Sequence, residues 1–142
     1  MQTSGMPGHL IRRLQQHSSQ VFTAHMRQHG WDITSVQFAA LDAIQWHPLI
    51  DQAGVAALIA YDRPTIGEVV SRLVSKGLVE RKVSEADRRA RVLTLTQQGE
   101  DLVARLRPVV EELQADIVAG LTASEQVRFM ELLSKAVARG GS

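Results

Sequence analysis

Asp62-Arg-Pro-Thr-Ile-Gly-Glu-Val-Val-Ser-Arg-Leu-Val-Ser-Lys-Gly77 runs into Leu78-Val-Glu-Arg-Lys-Val83 and then into Ser84-Glu-Ala-Asp-Arg-Arg-Ala-Arg91. The first segment predicts a helix over 63–76. Asp62 can cap it and Pro64 fits its first turn, where a missing N–H costs little. Gly77 is the predicted C′ residue. Ile66, Val69, Val70 and Leu73 fall on one stripe at helical spacing. The opposite face carries Arg63, Thr65, Gly67, Glu68, Ser71, Arg72, Ser75 and Lys76. Residues 78–83 and 91–95 read as two short strands, with 84–90 as the polar loop between them. A helix followed by a hairpin tipped with Arg88, Arg89 and Arg91 is a shape that enters two neighbouring DNA grooves.

Charge supports this reading by its distribution, because the net charge of the 142 residues is only +1. Residues 1–62 hold three Arg against four Asp, and residues 92–142 hold five basic against seven acidic groups. Residues 63–91 hold eight Lys/Arg against four Asp/Glu. A local excess of that kind is what a phosphate-binding face needs. Thr65 and Ser71 can bond bases or phosphates, and Arg63 and Arg72 can fork onto guanine or phosphate. Glu68 can accept from a cytosine amino group or pair with Arg72 four residues on, and the surface pair is the safer expectation. Gly67 costs about 1 kcal/mol relative to Ala inside a helix. Either it lets the helix approach a base pair, or it relieves crowding against another protein segment.

The flanks predict helices over 8–29, 35–46, 52–60, 97–120 and 123–138, with Met1–Pro7 as a loose arm. Thr34 and Thr122 each open a capping box, Asp51 and Thr96 can cap, and Gly30 and Gly120 are predicted stops. Val55, Leu58 and Ile59 should point inward. Leu49-Ile50 can add a short strand, Pro108 should kink the long helix, and the Gly140-Gly-Ser tail is disordered by composition. The expected architecture is mostly α with a small β-hairpin: a winged helix-turn-helix over 34–96. Helices 8–30 and 97–138 would form a homodimer interface, because their apolar faces have no core of their own to enter. All 142 residues make one unit.

Zero cysteines exclude disulfides, thiolate metal sites and thiol-oxidation sensing. No apolar run approaches about 18 residues, and the N-terminus lacks a signal-peptide pattern, so a cytoplasmic protein without a membrane span is expected. No nucleophile elbow, phosphate loop or dinucleotide fingerprint is present, so neither catalysis nor a cofactor is expected. His25 and His29 have ligand spacing, but nothing completes a metal site. A basic winged helix that binds an acidic protein is the alternative to a DNA reader.

Asp62-Arg-Pro-Thr-Ile-Gly67, Lys76-Gly-Leu-Val-Glu-Arg81, and Asp87-Arg-Arg-Ala-Arg-Val-Leu-Thr-Leu-Thr-Gln-Gln-Gly99 resemble the MarR family of bacterial transcription regulators. The wing signature Asp-x-Arg maps onto Asp87 and Arg89, and Thr34-Ser-Val-Gln-Phe-Ala-Ala-Leu41 resembles the family's second-helix pattern. The resemblance spans about 8–138. It implies a recognition helix at 63–76, a symmetric homodimer on a palindromic double-stranded operator, and repression relieved by a small ligand. The expected DNA-binding set is Arg63, Pro64, Thr65, Gly67, Ser71, Arg72, Lys76, Arg88, Arg89 and Arg91.

His9-Leu-Ile-Arg-Arg-Leu-Gln-Gln-His17 resembles the branch of the family that senses aromatic carboxylates. An arginine of the first helix would anchor the carboxylate. Arg12 and Arg13 both fit, and Arg13 has His9 and His17 four residues to either side. Arg is suited to this because it grips a carboxylate bidentately. His17, Trp31 and Phe38 are the candidate walls. For Trp31, packing at the helix junction is the competing role.

Overall fold

The structure is a computed structural model and describes residues 2–140. A short 3-10 turn at Thr3–Gly5 precedes six helices, α1 (Pro7–Gln28), α2 (Ser35–Trp46), α3 (Gln52–Leu58), α4 (Arg63–Ser75), α5 (Gln97–Ile117) and α6 (Ala123–Gly140). Three strands, β1 (Ile50–Asp51), β2 (Val79–Val83) and β3 (Arg91–Leu95), form an antiparallel sheet in the order β1-β3-β2. The fold is thus mostly helical, with a winged helix at its centre. The hairpin gains a third strand, since Ile50 pairs with Leu93 and Asp51 with Val92. Leu49 reaches this edge through a left-handed conformation, φ 69°, and its amide donates to the Leu93 carbonyl at 3.0 Å.

Local chemistry places most element ends. Thr34 and Gln37 form a reciprocal capping box, with both bonds at 3.1 Å. Thr122 and Glu125 form another, at 2.8 and 3.2 Å. Asp51 accepts the Gly54 amide at 2.7 Å. Gly30 and Gly77 both take positive φ, 72° and 76°, as helix stops require. Several ends differ from expectation, among them α6, which runs on to Gly140 of the tail. Pro7 already begins α1, at a position where a proline's lack of an N–H is harmless. α3 stops at Leu58, and Leu58 points outward at 53% exposure while Ala56 fills the core beside Val55. α5 ends at Ile117, three residues before Gly120. Of the C-terminal tail, residues 141 and 142 lie outside the described residues.

The core is one cluster. Ile66, Val70 and Leu73 of α4 are fully buried with Leu41 and Ile44 of α2, Val55 of α3 and Leu93 of β3. Leu102, Val103, Leu106 and Leu113 of α5 extend it to Phe22 and Met26 of α1. Fully burying one such side chain contributes about 1.5–3 kcal/mol, so packing rather than helix propensity holds α4 in place. α1 and α5 are cross-tied by His25 Nε2 and Asp116 Oδ2 at 2.7 Å. α6 has little such support. Gln126, Phe129 and Leu133 face inward, whereas Val127, Met130 and Val137 are 57–72% exposed. Of the stripe expected on one side of α6, Met130 and Leu133 line the same cleft, and Val127 and Val137 stay exposed in the single chain.

Where the wing joins the domain, four residues form a knot. The Thr96 hydroxyl donates to the Gly77 carbonyl at 2.6 Å and accepts the Gly99 amide at 3.0 Å. The Thr96 amide donates to the Leu78 carbonyl at 3.0 Å. Gly99 is buried against that carbonyl: a Cβ placed there would overlap the Leu78 oxygen and lie 3.1 Å from its carbonyl carbon.

Candidate nucleic-acid interface

The outward face of α4 is positioned from its first turn. Asp62 Oδ2 accepts the Thr65 amide at 3.1 Å, and Asp62 Oδ1 accepts the Thr65 hydroxyl at 2.7 Å. These two bonds, the hydroxyl first, hold the Asp62 carboxyl below the ordinary aspartate value. The Thr65 hydroxyl proton is therefore committed to the cap. Lys76 is also held by the protein itself. Its Nζ donates to the Asp32 carbonyl and, at 3.4 Å, to Gln37 Oε1, with Asp32 Oδ2 3.7 Å away. Both residues thus brace α4 from within. Arg63, Pro64, Ser71 and Arg72 are exposed and Gly67 is half-buried. Arg63 and Arg72 form no ion pair among the described residues, and the expected Glu68–Arg72 pair is not made.

Two recesses lie on this side of the molecule. One is lined by Pro64, Gly67, Glu68, Ser71, Arg72, Ser75 and Arg81. The other joins Arg63 to Asp51, Gln52 and Ala53 and to Asp87, Arg89, Ala90 and Arg91 of the wing. The structure thus brings the recognition-helix arginine and two of the three wing arginines together. Arg88 is exposed at the tip.

The wing turn is built by its own side chains. Ser84 Oγ accepts the amides of Ala86 and Asp87, both at 3.2 Å. Asp87 Oδ1 accepts the Arg89 amide at 3.0 Å, and its contact to Arg89 Nε is longer, at 3.5 Å. Asp87 therefore shapes the backbone more than it neutralises the arginine, whose side chain is 93% exposed. Arg91 donates from Nη1 to the Arg88 carbonyl at 3.3 Å.

Arg81 and Gln52 belong to this surface and were missed in the sequence. Arg81 Nη1 donates to Gln52 Oε1 at 2.8 Å and to Ser71 Oγ at 3.4 Å. The period of two along β2 was the available signal, since it puts Arg81 on the same side as Val79, toward α4.

The five candidate ligand residues are not brought together within one chain. Arg12, Arg13 and His17 are exposed on α1. Trp31 stacks on His29, centroids 4.8 Å apart and planes 12° from parallel. Phe38 packs 6.3 Å from Phe22, with the Arg107 guanidinium 5.8 Å above its ring. Arg107 Nη2 also bonds Asp42 Oδ1 at 2.7 Å and Gln45 Oε1 at 2.8 Å, which ties α5 to α2. The apolar cleft between α1, α5 and α6 is lined instead by Ile11, Leu14, Ile117, Phe129 and Met130, among others. His25 and His29 have local partners: Asp116 for the first, and for the second the His25 carbonyl, which lies 3.0 Å from His29 Nδ1. No helix among the described residues is long and apolar enough to cross a membrane.

A model of the MarR family matches residues 31–90, the span that holds α2 to α4, β2 and the wing loop up to the start of β3. The transcriptional regulator HosA of Escherichia coli is 33% identical over 128 residues, covering 89% of this chain and 91% of HosA. Among solved structures, BpsR of Bordetella bronchiseptica superposes with a TM-score of 0.86 at 29% identity, covering 96% of both chains. That structure concerns regulation of BpsR DNA binding by 6-hydroxynicotinic acid. PcaV of Streptomyces coelicolor, in complex with its natural ligand, superposes with a TM-score of 0.83 at 33% identity, covering 97% of this chain and 96% of PcaV. With a recognition helix and an arginine wing set on one face of a winged helix, the chain belongs to the MarR family of transcription regulators, DNA-binding proteins rather than enzymes.

Proposed function

We propose that the protein is a homodimeric repressor that binds a palindromic operator and is released by a small aromatic carboxylic acid. The observation that carries the DNA half is the recess joining Arg63 to Arg89 and Arg91, beside an α4 face whose arginines have no ion-pair partner among the described residues. In this reading α4 lies in the major groove, with Arg63, Pro64, Gly67, Ser71 and Arg72 toward it. Arg88, Arg89 and Arg91 meet the adjacent minor groove, where negative potential favours arginine. Thr65 and Lys76 act indirectly, by fixing the helix. The protein works where its DNA is, in the cytoplasm.

Dimerisation is supported by the apolar surface left on the terminal helices, including Leu10, Ile11, Val127, Met130 and Val137 at 51–72% exposure. A two-fold dimer through 8–30 and 97–138 would set two copies of α4 about one DNA turn apart. The aromatic acid is supported by 6-hydroxynicotinic acid in BpsR and by ligand-bound PcaV. Arg12, Arg13 and His17 are exposed in one chain, so a second copy would complete the anchor, with Trp31 and Phe38 at the α1–α2 side.

The test is binding to duplexes from the promoter regions of its own and neighbouring genes between 50 and 200 mM salt. A dimer neutralising about 6–10 phosphates should lose about 10³–10⁵ in affinity across that range. No preference for any of these duplexes over random DNA would reject the reading. Benzoate, hydroxybenzoates, cinnamate and 6-hydroxynicotinate should raise the melting temperature and release the duplex, since ligand at 100 times its Kd adds about 2.7 kcal/mol. A response unchanged by both Arg12→Ala and Arg13→Ala would reject the carboxylate anchor.

A further inference from the structure

We infer that Gly67, Glu68 and Arg72 together read one G·C base pair in each half of the operator. This deepens the DNA-binding reading and rests on it. Gly67 is the first observation. It lies mid-helix, where glycine weakens the helix relative to alanine, yet no protein atom requires its bareness. A Cβ there would meet only Gln52 Nε2, at an ordinary 3.8 Å. Crowding therefore does not explain it, and close approach by something outside the chain does.

The second observation is what stands beside this bare floor. Glu68 and Arg72 are four residues apart on an exposed helix face, a spacing at which opposite charges usually pair. They form no ion pair here, and both line the recess over Gly67. Arg81 lines it too, held in place by Gln52 and Ser71. Phosphate is a poor occupant for a recess with a carboxylate in its wall. A G·C pair fits both signs: guanine presents O6 and N7 as acceptors to an arginine fork, and cytosine presents its N4 amino group as a donor to a carboxylate. The missing side chain at Gly67 lets that edge come close enough to reach both groups.

Selection from a random duplex library by the full-length protein tests this, with wild type and three variants. Wild type should yield a palindromic motif. Glu68→Ala should lose discrimination at one G·C position per half-site by about fivefold or more. Arg72→Ala should blur the same position. Gly67→Ala should melt higher than wild type and bind the selected motif at least about fivefold more weakly, with binding to random DNA retained. An unchanged motif with Glu68→Ala, or full motif affinity with Gly67→Ala, would overturn the inference. A wild type that selects no motif at all would instead overturn the DNA-binding reading beneath it.

Discussion

Gly99→Ala tests the packing that aims the wing. Gly99 sits in the first turn of α5, and its added methyl would fall on the Leu78 carbonyl, 3.1 Å from the carbonyl carbon. That carbonyl is backbone and already accepts the Thr96 amide, so it cannot swing aside as a side chain would. Overpacking of a well-filled site costs about 1–3 kcal/mol, and the upper end applies because the obstacle is main chain. Alanine returns up to about 1 kcal/mol of helix propensity. The net loss is about 2 kcal/mol. At about 3–4 °C per kcal/mol for a chain of this length, the melting temperature should fall by roughly 7 °C. Differential scanning calorimetry at one fixed protein concentration reads this directly, because a dimer's melting point depends on concentration. Gly67→Ala is the internal control, since its methyl meets only ordinary contact and should raise stability by up to about 1 kcal/mol. If Gly99→Ala melts with wild type, α5 does not pack on Leu78 as described.

Arg89→Ala should weaken operator binding across sequences about three- to tenfold and lower the salt slope by about two, one for each wing of the dimer, checked by anisotropy titrations at several salt concentrations; an unchanged slope would remove Arg89 from the phosphate contacts. Asp42→Ala and Arg107→Ala should each destabilise by about 1 kcal/mol, with a coupling of about 0.5 kcal/mol in a double-mutant cycle, a small figure because both side chains are about one-third exposed. Zero coupling would leave the Gln45 bond, the Phe38 contact and core packing to join α5 to α2. Asp62 should make the fold acid-sensitive. Its lowered value means that its contribution is complete above the unfolded aspartate value of about 4 and is lost as pH falls through the lower folded value. Wild type should therefore lose more stability than Asp62→Asn between about pH 5 and 2, and parallel acid-unfolding curves would contradict the cap.

What was legible in the chain was local. Caps such as Thr34, Asp62 and Thr96 announce themselves because donor and acceptor lie within three residues. The stripe of Ile66, Val69, Val70 and Leu73 identified the buried face of α4 without further information. Long-range choices were not legible. Lys76 reads in the sequence as one more cation on the outward face of α4, and its bonds to Asp32 and Gln37, some forty residues away, are visible only in the fold. Arg81 went unnoticed because its partners Gln52 and Ser71 come from two other elements. Periodicity assigns Leu58 inward, but in that last turn of α3 it is Val55 and Ala56, with Ile59 beyond them, that meet the core. The proposed ligand residues are the hardest case: Arg12 and Arg13 are exposed in the single chain, and the anchor proposed for them needs a second copy.

The Thr96 knot has a consequence for how such regulators diverge. The eighteen residues from Leu78 to Leu95 begin and end beside a single hydroxyl that touches both Gly77 and Gly99, and their base is fixed by buried Leu93 and the pairing with β1, which leaves the tip free. A hairpin anchored like a key on a ring can be lengthened, shortened or recharged at its tip without recutting the core that carries it. Wings of different length and charge can therefore be carried on one domain, provided that the threonine and its two glycines stay.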